Sequence, residues 1–312
     1  MNTSKDKFSI TALLFTFTGI LFIGVVIVVG IILFNEKTIV VPDDEDTIQS
    51  AVDAAVPGDI ILVKPKVDGT AYEENVEIKT DNIKLIGVGK EKPVLDGDFM
   101  TSTGRGIDLT DRSGVLLQNF IVQNFEDEGI FLDGSNRNMI KKNFVTENVV
   151  GINFIGSNNN MVKGNNSNEN SDQGIFLVDS NQNMVKGNTF NENGQGISLA
   201  SSNQNMMKSN TANDNESDGI FLDDSYRNIV KGNTFNENGQ GISSARSNQN
   251  MIKGNTANEN ERDGIFLEAT SINNDLFFNR AFGNGDLDIE DEDDNNFKGN
   301  KCDTSDPVGL CN

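Results

Sequence analysis

The chain contains no histidine. That removes the commonest general base and the commonest metal ligand, so any chemistry must come from carboxylates, Lys, Arg or Tyr. Carboxylates are plentiful: 47 Asp and Glu stand against 25 Lys and Arg, a net charge of −22. A field of that sign opposes nucleic acid, and no nucleic-acid role is expected. The informative carboxylates are those that break the chain's regularity. Asp133, Asp223, Asp224 and Glu268 border short runs of the Gly-Ile-Phe-Leu type, and Arg246 follows Asp224 at the repeat distance. Hydrolysis of a glycosidic bond needs an acid and a base at a set separation. Asp223 and Glu268, two coils apart, would fall near the ~6.5–9.5 Å of inverting enzymes. A β-eliminating lyase needs a base at the sugar C5 and usually Ca²⁺ to neutralise the uronate; Arg246 is the candidate base. Asp223, Asp224, Arg246 and Glu268 are thus the weak catalytic candidates. Ca²⁺ could also bind weakly to the acidic tail Asp286 to Asp294, although that run has no EF-hand spacing and reads better as a charged end cap. No resident cofactor is expected.

A second set of residues suits binding. In Gly-Ile-Phe-Leu the Ile and Leu should point inward, which turns Phe131, Phe176, Phe221 and Phe266 outward, with Asn153, Ser198 and Ser243 on the coils between. Aromatic rings ~9.6 Å apart, bordered by Asp133, would make a stacking platform near the repeat of a disaccharide. The plainer explanation is that Phe recurs because a longer unit was duplicated.

Two further rows recur once per repeat. Lys141, Lys163, Lys186, Lys208, Lys231 and Lys253 form one; acidic residues Glu147, Glu169, Glu192, Asp214, Glu237 and Glu259 recur on a neighbouring turn. A solvated, mutually compensating surface is the expectation, and a site for a linear polyanion the alternative. Met139, Met161, Met184, Met206 and Met251 share the parity of the lysines; thioethers can ligate Cu(I), but adaptable packing is the better reading without His or free Cys.

These rows exist because the chain repeats. The Gly that opens each Gly-Ile-x-Leu-like segment falls at 106, 129, 151, 174, 196, 219, 241 and 264, in alternating steps of 23 and 22. No apolar run is long enough for an amphipathic helix, so each repeat should be three short strands joined by tight turns. Asn recurs at 143, 165, 188, 210, 233, 255 and 279, and five residues later at 148, 170, 193, 215, 238, 260 and 284. Stacked one coil apart, such amides can satisfy turn backbone up the column. Above the single repeat lies a double one: GNTFNENGQGIS occurs at Gly187–Ser198 and again at Gly232–Ser243. Upstream, Thr47–Val56 places Ile48, Val52 and Ala55 on one helical face, with Asp46 or Thr47 as N-cap and Pro57-Gly58 as the stop. Such a helix would cover the open end of a solenoid.

Residues 10–34 carry no charge, enough to cross a bilayer with some tilt. No small-residue cleavage site follows, and Lys5 and Lys7 precede the segment while Asp43 to Asp46 follow it. An uncleaved single-pass anchor is expected, with residues 1–9 cytoplasmic, 35–43 a short linker and the repeats outside the plasma membrane. Cys302 and Cys311 bracket a turn-rich CDTSDPVGLC within the terminal cap at 302–312. In an oxidising compartment they would close a terminal hairpin as a disulfide; two free thiols are the alternative.

TIQSAVDAAVPGDIILVKP with the later YEENVEI resembles the entry of pectin-lyase-like right-handed parallel β-helix proteins, and the GIFLxxSxxNMVKGNTxxxN units resemble NosD-type repeats. The resemblance covers about residues 44–301. It implies an all-β right-handed solenoid of about nine regular coils behind a capping helix, and a scaffold shared by lyases, hydrolases, esterases, epimerases and adhesins. The sequence departs from the enzymes of that scaffold: the His-containing motif of polygalacturonases is impossible here, the catalytic signatures of pectate lyases and pectin methylesterases find no match, and turns stay short from Gly129 to Gly264. Non-catalytic polysaccharide recognition along the Phe-bearing face is therefore the preferred expectation, ahead of a polysaccharide lyase or hydrolase and of a structural spacer or adhesin. Oligomeric state is left open.

Overall fold

The computed structural model describes residues 36–98, 104–292 and 294–311. The apolar segment at 10–34 lies outside them; among the described residues no helix is long and apolar enough to cross a membrane. From Thr38 onward the chain is a right-handed parallel β-helix with three sheets of 12, 4 and 11 strands. Each coil contributes one strand to each of the two long sheets, as in Met139–Lys141 and Val150–Ile155. About eleven turns result, more than the nine regular coils expected, because less regular coils continue the sheets at both ends.

The first correction lies at the entry. Thr38–Val41, read as linker, is β1, the first strand of the longest sheet, paired in parallel with Ile60–Val63. Its Ile39 and Val41 are fully buried, so alternation of apolar residues made a strand of what charge and position had suggested was a tether. The capping helix forms as expected: α1 runs Ile48–Ala54, with Thr47 as N-cap in a reciprocal capping box with Ser50. The Glu74 carboxylate accepts from the Ile48 and Gln49 amides at 2.9 and 2.8 Å, tying the helix start to the first coil.

Inside the solenoid, Ile and Leu of the Gly-Ile-x-Leu segments stack in buried columns, for example Ile175/Leu177, Ile197/Leu199 and Ile220/Leu222. The third wall alternates in size: Ser167, Phe190, Ala212, Phe235 and Ala257 are all buried. A large ring on one coil fills the space that the small residues above and below leave free. This alternation gives the double repeat a packing reason. The recurring Gly has one too: a Cβ at Gly219 would lie 2.7 Å from the Gly241 carbonyl oxygen, so the strands approach too closely for any other residue.

Both expected Asn columns are hydrogen-bonded, and all their members but the half-buried Asn284 are buried. Asn165 donates from its backbone N and from Nδ2 to Asn188 Oδ1 at 2.8 and 3.0 Å, and from Nδ2 to the Ile140 carbonyl at 2.9 Å. Two further buried columns went unread in the sequence: Asn138, Asn160, Asn183, Asn205, Asn228 and Asn250, and the serines that begin at Ser135 and Ser157. Each ladder supplies partners to turn amides that would otherwise be orphaned. At the far end Cys302 and Cys311 are joined by a disulfide, Cα atoms 5.6 Å apart.

Candidate functional site

The face of the 11-stranded sheet is built on one outward column. Neighbouring strands pair Glu77 with Asp108, then Phe131, Asn153, Phe176, Ser198, Phe221, Ser243, Phe266, Glu290 and Asp306 in turn. Phe176, Phe221 and Phe266 are partly exposed, while Ser198 and Ser243 between them are buried, so the rings stand proud of small gaps. The outward orientation follows from strand alternation, because the flanking Ile and Leu fill the interior.

Phe131 departs from the expectation. It is 2% exposed, because the Arg105 guanidinium lies 3.6 Å above its ring. Arg105 is itself fixed by Glu128 at 3.0 Å and Asp108 at 3.1 Å, so the cation cannot swing aside without breaking two ion pairs. The first ring of the column is thus covered, and the platform consists of three rings. Arg105 also lines a cleft of about 690 Å³ together with Gln49, Glu77, Lys79 and Asp108. Nothing in the repeat announces Arg105, since it precedes the regular coils.

Beside Phe131, Asn153 donates from Nδ2 to Glu128 Oε1 at 3.0 Å, and its Oδ1 is buried with no partner, the one such atom among the described residues. An unpaired buried acceptor is costly, which makes it a place where a donor would be welcome.

One flank of the column carries Glu128, Asp218 and Asp263. Asp218 accepts from Gln195 Nε2 at 2.8 Å and Ser217 Oγ at 3.0 Å; Asp263 accepts from Gln240 Nε2 at 3.0 Å. Burial pushes the Asp218 carboxyl above the ordinary carboxylate range, and its hydrogen bonds with the Arg262 charge only partly pull it back.

The other flank holds the catalytic candidates. Asp133 and Asp223 share a column with Ile155, Val178, Ala200 and Ala245. Asp223 forms an ion pair with Arg246, and Asp224, in a left-handed turn, accepts from the Tyr226 hydroxyl. Asp224 in turn raises the Tyr226 hydroxyl above its usual range, chiefly through that bond. Asp223, Asp224, Tyr226 and Arg246 therefore gather at one edge of the Phe column. Glu268 follows the strand end at Leu267, and its amide bonds the Ser244 carbonyl in continuation of the ladder, two coils beyond Asp223; its side chain makes no hydrogen bond or ion pair with the cluster. Tyr226 went unread, although a signal existed. It stands where Asn136, Asn158, Asn181, Asn203 and Asn248 hold the same turn position, and its amide still joins that ladder by donating to Asn203 Oδ1.

On the opposite long sheet the Lys and Met rows lie in register, Met161 beside Met184 and Lys163 beside Lys186. Among the described residues none of the six lysines forms an ion pair with the acidic row. The acidic residues sit in left-handed turns at the far end of the next short strand, as Glu169 and Glu192 do. Neighbouring ammonium groups one coil apart repel by up to ~1 kcal/mol in water.

The profile of a family described as periplasmic copper-binding protein (NosD) matches residues 52–218 and 195–309. The chain belongs to the NosD family. No curated protein matches it. Among solved structures, this NosD-family chain is similar to the Dettilon tailspike protein (TM-score 0.65, 14% identity, 86% of this chain and 62% of that one). It is also similar to a double mutant of the periplasmic alginate epimerase AlgG (TM-score 0.57, 17% identity, 85% and 73%). The A-module of the Azotobacter vinelandii mannuronan C-5 epimerase AlgE4 covers likewise (TM-score 0.57, 15% identity, 87% and 97%). At these identities the likeness establishes the pectate-lyase-like fold and nothing finer.

Copper, implied by the family description, does not fit the donors of this NosD-family chain. It has no His, both Cys are in the disulfide, and the thioethers run single file with Ile229 interrupting them. Nor do three Asp, Glu or Cys side chains converge among the described residues. In the acidic tail, Asp288 is buried and spent on Asn284, Asp303 and Thr304.

Proposed function

We propose that this chain is a membrane-anchored, extracytoplasmic module that holds a linear polysaccharide along Phe176, Phe221 and Phe266 without cleaving it. The observation that carries the reading is the platform itself: three partly exposed rings, ~9.6 Å apart, with buried serines between them. Sugar rings stack on such faces, and Asp133, which borders the covered Phe131, lies beyond the end of the three-ring platform. Similar folds include enzymes named for alginate and mannuronan epimerisation, which supports a saccharide polymer as ligand. The absence of cleavage is supported by the state of the candidate groups, since Asp223 and Arg246 neutralise each other and Asp224 is engaged by Tyr226. The uncharged run at 10–34, with lysines before it and carboxylates after it, supports the anchor and its orientation.

The full chain, screened against an array of neutral, acidic and amino polysaccharides, is expected to retain at least one polymer. Phe221→Ala with Phe266→Ala should weaken that binding at least tenfold, as expected if each ring stacks for ~1 kcal/mol or more. Absence of any ligand, or binding indifferent to both rings, would sink the reading. Capture by lysed but not by intact cells displaying the chain would place the solenoid on the cytoplasmic side.

One observation favours a second reading. The convergence of Asp223, Asp224, Tyr226 and Arg246 beside the rings is what a lyase or hydrolase would need. Release of unsaturated or reducing ends from the retained polymer, abolished by Arg246→Ala or Tyr226→Phe, would replace binding with catalysis.

A further inference from the structure

Lys141, Lys163, Lys186, Lys208, Lys231 and Lys253 pair one with the next on six successive strands. Their Cα atoms therefore rise in single file at ~4.8 Å per coil, parallel to the solenoid axis. Lys163 and Lys231 are exposed and the other four half-exposed. Among the described residues none of the six makes an ion pair or donates a hydrogen bond from Nζ; Lys253 alone has a ring nearby, Phe278 at 5.6 Å.

Packing gives no reason for this column. The outward Phe alternates with Ser in step with the large and small residues of the interior, whereas Lys recurs on every coil whatever lies beneath it. Six stacked cations without an ion pair of their own make a local line of positive charge on a chain whose net charge of −22 otherwise opposes anions, and an anion laid along that line would relieve their mutual repulsion. We propose that the column is a track for a linear polyanion laid along the solenoid axis, a polymer bearing carboxylate or phosphate groups at roughly one per coil.

The shape of the charge selects a polymer over a flat partner. On each strand the residue two before the lysine is Met or Ile, half-buried, so the cations form a line bounded by an apolar shelf rather than a broad patch. Across the next short strand the acidic column Glu147, Glu169, Glu192, Asp214, Glu237 and Glu259 rises at the same pitch and repels an anion that strays sideways. The polymer backbone would lie on the thioether shelf with its anions turned to the ammonium groups. This site is independent of the phenylalanine platform and lies on the other long sheet.

The test uses the full chain in detergent with two probes, oligogalacturonate and inorganic polyphosphate, and methyl-esterified oligogalacturonate as the neutral match. Binding of at least one anionic probe is expected, falling tenfold or more between about 50 and about 200 mM salt, with none to the ester. Lys163→Gln, Lys208→Gln and Lys231→Gln together should weaken it at least tenfold and flatten the salt dependence. Preference for one probe tells carboxylate from phosphate, and either outcome supports the track. It is overturned if neither anionic probe binds or if the ester binds equally. It is overturned, too, if a control triple, Lys66→Gln, Lys90→Gln and Lys301→Gln, loses as much, which would reduce the effect to net charge. Lysine-dependent binding to phosphatidylglycerol vesicles but to neither polymer would replace the polymer with an anionic lipid surface.

Discussion

The two long sheets are made by the same coils, yet their outer faces follow different rules. On the phenylalanine face the pattern repeats every second coil and tracks the interior: coils with buried Phe190 or Phe235 carry Ser198 or Ser243 outside, and those with Ala212 or Ala257 carry Phe221 or Phe266. On the lysine face it repeats every coil and tracks nothing beneath. The first pattern keeps step with the interior, as a duplicated double repeat would by itself. The second has only an electrostatic cost. A periodic surface residue in a solenoid is therefore more telling when its period differs from that of the core it sits on.

The largest test breaks the core alternation. Phe235→Ala leaves a void beneath two coils and should cost about 3–5 kcal/mol in chemical denaturation. Adding Ala212→Phe, which sets a second ring against Phe190 and leaves Ala257 beside the void, should recover little of that loss; full recovery would show that the alternation is not a packing device.

A smaller effect separates the two faces by pH. The Asp218 carboxyl lies above its ordinary range in the folded chain, mainly through burial. A raised carboxyl binds its proton more tightly when folded, so it detracts from stability once pH climbs past the unfolded value, and not below it. Asp218→Asn should thus stabilise the chain at neutral pH and lose that advantage in acid, as read from unfolding midpoints across pH. An advantage independent of pH would refute the burial account.

The smallest effect belongs to the lysine face. Removing one stacked cation, as in Lys208→Gln, should raise stability by no more than ~1 kcal/mol at low salt, and the gain should vanish near 1 M salt. A loss instead would mean that the lysine makes a contact more valuable than the repulsion it bears.

The sequence alone determined the solenoid, the helical cap, the terminal disulfide as one of two readings, and two of the buried Asn columns, because a fixed period and strand alternation leave a coil little freedom. It was enough to turn Phe176, Phe221 and Phe266 outward. It misjudged residues whose fate depends on what stands across from them. Phe131 carries the same local motif as Phe221 but is closed by Arg105, which lies in an earlier, irregular coil. Thr38–Val41 became a strand because Ile60–Val63 offers it an edge. Tyr226 joined Asp224, and Arg246 joined Asp223, through contacts across turns that no local pattern encodes. The lysines and acids looked paired along the chain, yet a short strand holds them apart, and only the tertiary structure decides which charges meet. Periodicity fixes where each side chain points; the neighbours it meets there are set by coils distant in sequence.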